Sequence, residues 1–291
     1  MIFKRIFLKI FILSVILLLL KTAAAEDSYP KAKTLELNWM HYHYDYKEDI
    51  TPPAKSKEIG WLDGLSLMFI YRGIDVISSA PVTPFYERLL FESTSAPTTY
   101  DGSIYNSATG ETSPHKDTTY NTFLRIEGDL GYTLRLSKPC DFTPYSGLGW
   151  RSWNRDLGNG DGAYRELYNW MYLPLGLRFN YRINNVLNAA LDASYRLMFS
   201  GNMQVYFSEL DSHFNDPIVI LGNKPGYKIE APLSFYFFTL TPWYEYSAIG
   251  KSNNADWLYR YEGVNYKYAE IYEPASDTHQ YGLNLGIQYK F

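Results

Sequence analysis

Asp211-Ser212-His213 is the clearest chemical constellation in the sequence. An Asp two residues before a His can orient the imidazole as a general base. Hydrolysis by such a pair needs a second carboxylate to hold the attacking water. The candidates in an earlier connection are Asp101 and Asp117, with His115 between them. They form no Asp-x-Asp pair, so the set is incomplete and a solvated loop is the competing reading. His41 and His43 share one strand face, but nothing nearby completes a metal set. Residues 154–162 are rich in Gly, Asp and Asn, yet Leu157 stands where a calcium loop needs an oxygen ligand. Cys140 is the single cysteine, which excludes an internal disulfide and a thiolate zinc cluster. No cofactor, no metal and no assigned catalytic residue are expected, and an enzyme is not the leading reading.

The chain has 291 residues and a formal charge of −4, which argues against nucleic acid as a partner. Residues 1–9 are basic, 10–20 are an apolar stretch too short to span a bilayer, and Ala23-Ala24-Ala25 offers a cleavage site. This is the three-part plan of a secretory signal, so residues 1–25 read as a signal peptide and 26–291 as the working domain. Beyond residue 25 no apolar run reaches the roughly 18 residues of a membrane helix.

The elements that must position these residues alternate at period two. Tyr281, Leu283, Leu285, Ile287, Tyr289 and Phe291 face one way, and Gly282, Asn284, Gly286, Gln288 and Lys290 the other. Stretches 124–136, 187–199 and 227–237 repeat the pattern. Several exceed ten residues, the length a tilted strand needs to cross a membrane. Greasy faces edged with aromatics then belong in lipid and polar faces in a barrel lumen. Ten strands are expected, at 35–46, 62–72, 83–92, 120–136, 142–154, 168–182, 186–200, 226–238, 240–250 and 279–291. The first and third are weakly patterned, and eight or twelve follow if either is misread. Connections after odd strands (47–61, 93–119, 155–167, 201–225, 251–278) are long, and those after even strands are short. Outer-membrane barrels pair long extracellular loops with short periplasmic turns, which puts both termini in the periplasm. Thr83-Pro84-Phe85, Thr143-Pro144-Tyr145 and Thr241-Pro242-Trp243 each open an upward strand, with the aromatic expected in the lower girdle.

Tyr289 and the terminal Phe291 resemble the C-terminal signal by which bacterial outer-membrane proteins are delivered to the barrel-assembly machinery. Tyr100-Asp101-Gly102-Ser103, Tyr172-Leu173-Pro174-Leu175-Gly176-Leu177 and Tyr272-Glu273-Pro274 resemble a group of small, uncharacterised outer-membrane β-barrel proteins of Gram-negative-type bacteria. That resemblance implies a fold and a location and no reaction. A partial resemblance to omptins, ten-stranded outer-membrane proteases, rests on Asp211 and His213. The facing pair of acids that omptins carry is missing here.

By the alternation, the lumen carries Arg125, Arg135, Arg151, Arg155, Arg178, Arg182, Arg196 and Lys228 against Glu127, Asp129, Asp192, Glu230 and Glu245. A ten-stranded barrel is little wider than an eight-stranded one, which its own side chains fill. The expected lumen is therefore packed with paired charges. In the last long connection Trp257, Tyr259, Tyr261, Tyr266 and Tyr268 form a candidate binding surface, because Tyr is large, stiff and amphipathic. The expected fold is all-β, an antiparallel transmembrane β-barrel. Its expected function is structural or surface-binding in an outer membrane, with lipid and lipopolysaccharide as neighbours. A narrow, porin-like channel for small solutes or ions is the first alternative and an omptin-like protease the second.

Overall fold

Period-two alternation over long stretches closes here into a single ring of strands. The structure is a computed structural model that describes residues 33–72, 85–106, 110–137, 139–158 and 163–291. The expected signal peptide, the connection after the second strand and Thr83-Pro84 lie outside the described residues. Ten barrel strands run in chain order: β1 (Lys33–Glu48), β2 (Ser56–Arg72), β3 (Phe85–Asn106), β4 (Glu111–Tyr132, continued by Leu134–Ser137), β5 (Cys140–Asp156), β6 (Arg165–Arg182), β7 (Leu187–Val205), β8, β9 (Phe238–Gly250) and β10 (Ser276–Lys290). β8 is broken into Ile218–Ile220, Gly222–Asn223, Pro225–Glu230 and Leu233–Phe235. Each strand pairs antiparallel with the next, and β10 pairs with both β9 and β1, which closes the barrel. Lys33 and Phe291 exchange backbone hydrogen bonds at the end that carries the short turns.

The barrel is inside-out relative to a soluble protein. Leu130 is 68 % exposed on the outer face of β4, while its neighbours Glu127 and Asp129 are buried in the lumen. Leu67, Leu89, Leu177, Leu191, Ile229 and Leu285 are likewise exposed. Each such side chain gains roughly 1.5–3 kcal/mol on leaving water. A continuous belt of them is stable in lipid and not in water.

The loops are shorter than the hydropathy pattern implies. β3 and β4 pair without a break from Phe85 opposite Tyr132 to Asn106 opposite Glu111. The expected connection at 93–119 is thus mostly strand. Its Ser, Thr and Tyr residues favour extended backbone, but both faces are polar, so no alternation of hydropathy marks them. Likewise β7 continues to Val205 and β8 resumes at Ile218, which leaves a tight connection at 206–217. The last connection folds into a hairpin, Ala255–Tyr261 with Val264–Ile271, turned at Glu262 and Gly263 with φ of 49° and 80°. A two-residue turn with both φ positive matches the twist of its strands.

The Thr-Pro-aromatic motif is corrected by the structure. Tyr145 and Trp243 are buried in the lumen, not set in a girdle, because Thr143 and Thr241 share their inward parity. Phe85 faces outward instead.

Candidate functional site

The lumen divides into two charged layers. The lower layer is a network centred on two acids from opposite sides of the wall. Glu127 on β4 accepts hydrogen bonds from Arg88 (2.7 Å), Arg196 (3.0 Å) and Tyr172. Glu245 on β9 accepts from Arg125 and Arg151 and lies 2.8 Å from Arg196. Asp129 pairs with Arg88 at 2.7 Å, and Asp192 with Arg178 at 3.2 Å. Arg125 also reaches Glu92, and Lys228 reaches Glu92 and Glu230. Arg151 extends to Gln280 on β10 at 2.9 Å. The network therefore ties β3 through β10 across the lumen. Two voids beside it measure about 20 Å³ each, room for about one water apiece.

Glycines shape this layer. A side chain at Gly176 would overlap the Tyr145 ring, and one at Gly149 would overlap Tyr172. With only hydrogen there, each ring lies flat against the neighbouring strand. Its hydroxyl then donates to Asp192 or Glu127.

Above the network the lumen turns aromatic: Tyr42, Tyr44, Tyr46, Phe123, Trp153, Tyr168 and Trp170 pack together. Over them, at the loop end, lies a cavity of about 530 Å³. Arg155 stands at its floor, 2.5 Å from Glu58, 2.8 Å from Glu166 and 3.5 Å from Glu48. Glu273 closes one wall and accepts a hydrogen bond from Tyr46 at 3.2 Å. Burial, with the charges of Glu48 and Glu166 nearby, pushes the Glu273 carboxyl well above its ordinary range. His115 and Asp117 stand at the mouth, 3.8 Å apart and partly exposed.

Asp211 and His213 do form a pair, with Oδ1 2.6 Å from Nδ1. The His213 backbone and ring both hydrogen-bond the Asp211 carboxylate and hold its pKa below the usual value. The pair lies on the 206–217 connection and is clamped by the loop hairpin. Arg260 N donates to the His213 carbonyl at 2.8 Å, and the His213 ring leans on Tyr259. The two acids named as possible partners are engaged elsewhere. Asp101 pairs with Lys55 at 2.6 Å, and Asp117 faces the cavity, whose lining contains neither Asp211 nor His213. Among the described residues no three His, Cys, Asp or Glu converge to hold a metal ion.

Of the expected lumen charges, Arg125, Glu127, Asp129, Arg151, Arg178, Asp192, Arg196, Lys228 and Glu245 are buried in the network, and Glu230 lies at its margin. Arg155 belongs to the upper cavity. Arg135 is a correction: it is exposed, on the four-residue extension of β4 that pairs only with β5 below the packed interior. Arg182 is half-exposed at the same end. Arg88 and Glu92 were missed because β3 is apolar on both faces around Leu89, Leu90 and Phe91. Glu48 and Glu166 were missed as loop residues, although they continue the inward parity of Tyr42, Tyr44, Tyr46 and of Tyr168, Trp170, Tyr172.

The tyrosine-rich connection splits in two. Trp257 stacks on Phe207 with centroids 3.9 Å apart and packs on Phe214 and Tyr268. Tyr259 packs on Phe214. Tyr261, Tyr266 and Tyr268 are exposed. His41 and His43 face outward. His41 stacks between Trp39 and Trp61 and contacts Asp63 at 2.9 Å. Tyr289 and Phe291 stack on the outer face of the last strand.

No known family model matches the chain, and no curated protein sequence does. Among solved structures it is similar to the outer-membrane protease OmpT of Escherichia coli, with TM-score 0.54 and 9 % identity over 93 % of this chain and 100 % of that one. It also matches the COG4313 outer membrane channel of Pseudomonas putida F1, with TM-score 0.38 and 9 % identity over 91 % and 98 %. The attachment invasion locus protein Ail of Yersinia pestis matches with TM-score 0.34 and 9 % identity over 88 % and 99 %. The first likeness is one of fold, and the other two carry no further argument. The architecture is thus that of an outer-membrane β-barrel, closed with ten antiparallel strands.

Proposed function

We propose that the protein is a non-conducting outer-membrane barrel that works through its loop end, as a surface-binding module on a rigid support. The observation that carries this reading is the ion-pair network across the lumen. A solute passing through would have to part buried charges, at roughly 3–5 kcal/mol for each pair broken. The apolar belt supports residence in a bilayer, with lipopolysaccharide as the neighbour at the loop end. Both termini then lie in the periplasm, and the C-terminal strand with Tyr289 and Phe291 is the element presented to the assembly machinery.

Among the described residues Asp101 and Asp117 are engaged away from His213, which weighs against the protease reading, and the ion pairs across the lumen weigh against the channel. Proteoliposome swelling tests the proposal. Vesicles holding the folded barrel should shrink and stay shrunken in small sugars and salts, as protein-free vesicles do. Recovery of volume at a rate set by solute size would replace this reading with a pore.

A further inference from the structure

Three glutamates and one guanidinium line the loop-end cavity, Glu48, Glu166 and Glu273 with Arg155, and Glu58 is buried behind Arg155. Arg155 satisfies Glu58 and Glu166 closely and Glu48 more loosely. Glu273 is 4 % exposed and forms no ion pair among the described residues, its side chain being held by the Tyr46 hydroxyl. Arg155 is already shared by three other acids, so a buried carboxyl with no ion pair of its own, facing an open cavity, gains a partner from an arriving cation. The cavity walls fit a particular kind. Tyr100, Tyr164, Phe207 and Tyr272 present rings beside the acids. The molecule's own Arg155 shows what such surroundings hold, since its guanidinium lies 5.3 Å from the Tyr46 ring and 5.8 Å from Tyr100. Rings and carboxylates together favour ammonium or guanidinium groups.

We propose that this cavity binds a small organic polycation of the linear polyamine class. Its ammonium groups pair with Glu273, Glu48 and Glu166, and its methylene chain lies along the aromatic wall. A volume of about 530 Å³ suits such a molecule and far exceeds a bare metal ion. The inference rests on the surface-binding reading above and names its ligand.

Protonation supplies a signature that simple surface attraction lacks. The groups facing Glu273 are Glu48 and Tyr46 from β1, Arg155 from β5, Glu166 and Tyr168 from β6, and Tyr164 just before β6. His115 and Asp117 from β4 stand further out at the mouth. In this setting Glu273 holds its proton above the ordinary carboxylate range. An arriving ammonium displaces that proton, so binding releases protons and tightens as pH rises.

Isothermal titration of the folded full-length protein in detergent with spermidine tests this. Saturable binding is expected at physiological salt, tightening from about pH 5 to about pH 8. Glu273→Gln and Glu48→Gln should each weaken it by about tenfold or more, because truncating one side of a buried charge pair has at least that effect. Glu273→Gln should also flatten the pH profile. Leu136→Ala, exposed at the opposite end of the barrel, should change nothing. Heat-modifiable gel mobility checks that each variant is folded, and the wild-type pH profile stands without them. Absence of saturable binding, equal binding by both Gln variants, or preferential displacement by Mg²⁺ would overturn the proposal. A barrel that conducts ions and still binds spermidine would remove the closed-lumen reading and keep the site. A silent barrel indifferent to spermidine would do the reverse.

Discussion

Two layers of the same lumen use the same side chains to opposite ends. In the lower layer Arg88, Arg125, Arg151, Arg178, Arg196 and Lys228 meet Glu92, Glu127, Asp129, Asp192, Glu230 and Glu245 one for one. In the upper layer Glu48, Glu58 and Glu166 share Arg155, and Glu273 has no ion pair among the described residues. The balanced layer satisfies itself and seals the barrel. The unbalanced layer is left with negative charge beside an open cavity. Burying charge is tolerable only with a partner, so the first layer is structural and the second is a place for something to arrive.

The largest effect should come from breaking the balance. Glu245→Gln leaves Arg125, Arg151 and Arg196 without their shared acid. A loss of about 3–5 kcal/mol is expected, read as a lowered urea midpoint for the barrel folded in lipid vesicles. An unchanged midpoint would mean that water or lipid headgroups already compensate these charges. Next comes the aromatic clamp over the cavity. Trp257→Ala removes the stack on Phe207, and roughly 2–3 kcal/mol of local stability should go with it. Limited proteolysis should then cut the 255–271 hairpin while the barrel stays intact.

The acidic layer should answer differently. Glu273→Gln is expected to leave stability unchanged at low pH, where the protonated carboxyl is as neutral as Gln, and to raise it at a pH above the raised carboxyl pKa, where the ionised form would repel Glu48 and Glu166. Its clearest effect is on pH dependence. A carboxyl whose folded pKa is raised stabilises most below the ordinary carboxylate range, and that stability is lost as pH rises through the raised value. Hydrogen exchange at the loop end should therefore quicken with pH beyond its intrinsic rate in the wild type. In Glu273→Gln that excess should vanish. The smallest effect belongs to Tyr266→Ala, whose exposed side chain should change stability by no more than about 0.5 kcal/mol.

The lower layer was largely legible in the sequence and the upper was not. Alternation through β4, β6 and β7 put Glu127, Arg178 and Arg196 in the lumen, because one face of each strand is uniformly apolar. Arg88 escaped because Leu90, buried in the lumen, makes β3 look greasy on both sides. The cavity escaped for another reason. Glu48 and Glu58 lie across one hairpin, but Glu166 and Glu273 come from distant stretches and join them only when the ring closes. Each sits above the lipid belt, where neither face of a strand needs to be apolar and hydropathy stops reporting strands. The extended parity of Tyr42, Tyr44, Tyr46 and Glu48 is the signal that reaches it. Asp211 and His213 teach the converse. Their spacing predicted a pair and the pair forms, but spacing along one connection says nothing about what faces it across the barrel.

The closed lumen is tested most directly by single-channel recording of the barrel refolded into planar bilayers. The account predicts silence from protein whose heat-modifiable mobility shows it folded. Discrete, voltage-stable current steps with ion selectivity would contradict it, for then the balanced network would line a conducting path.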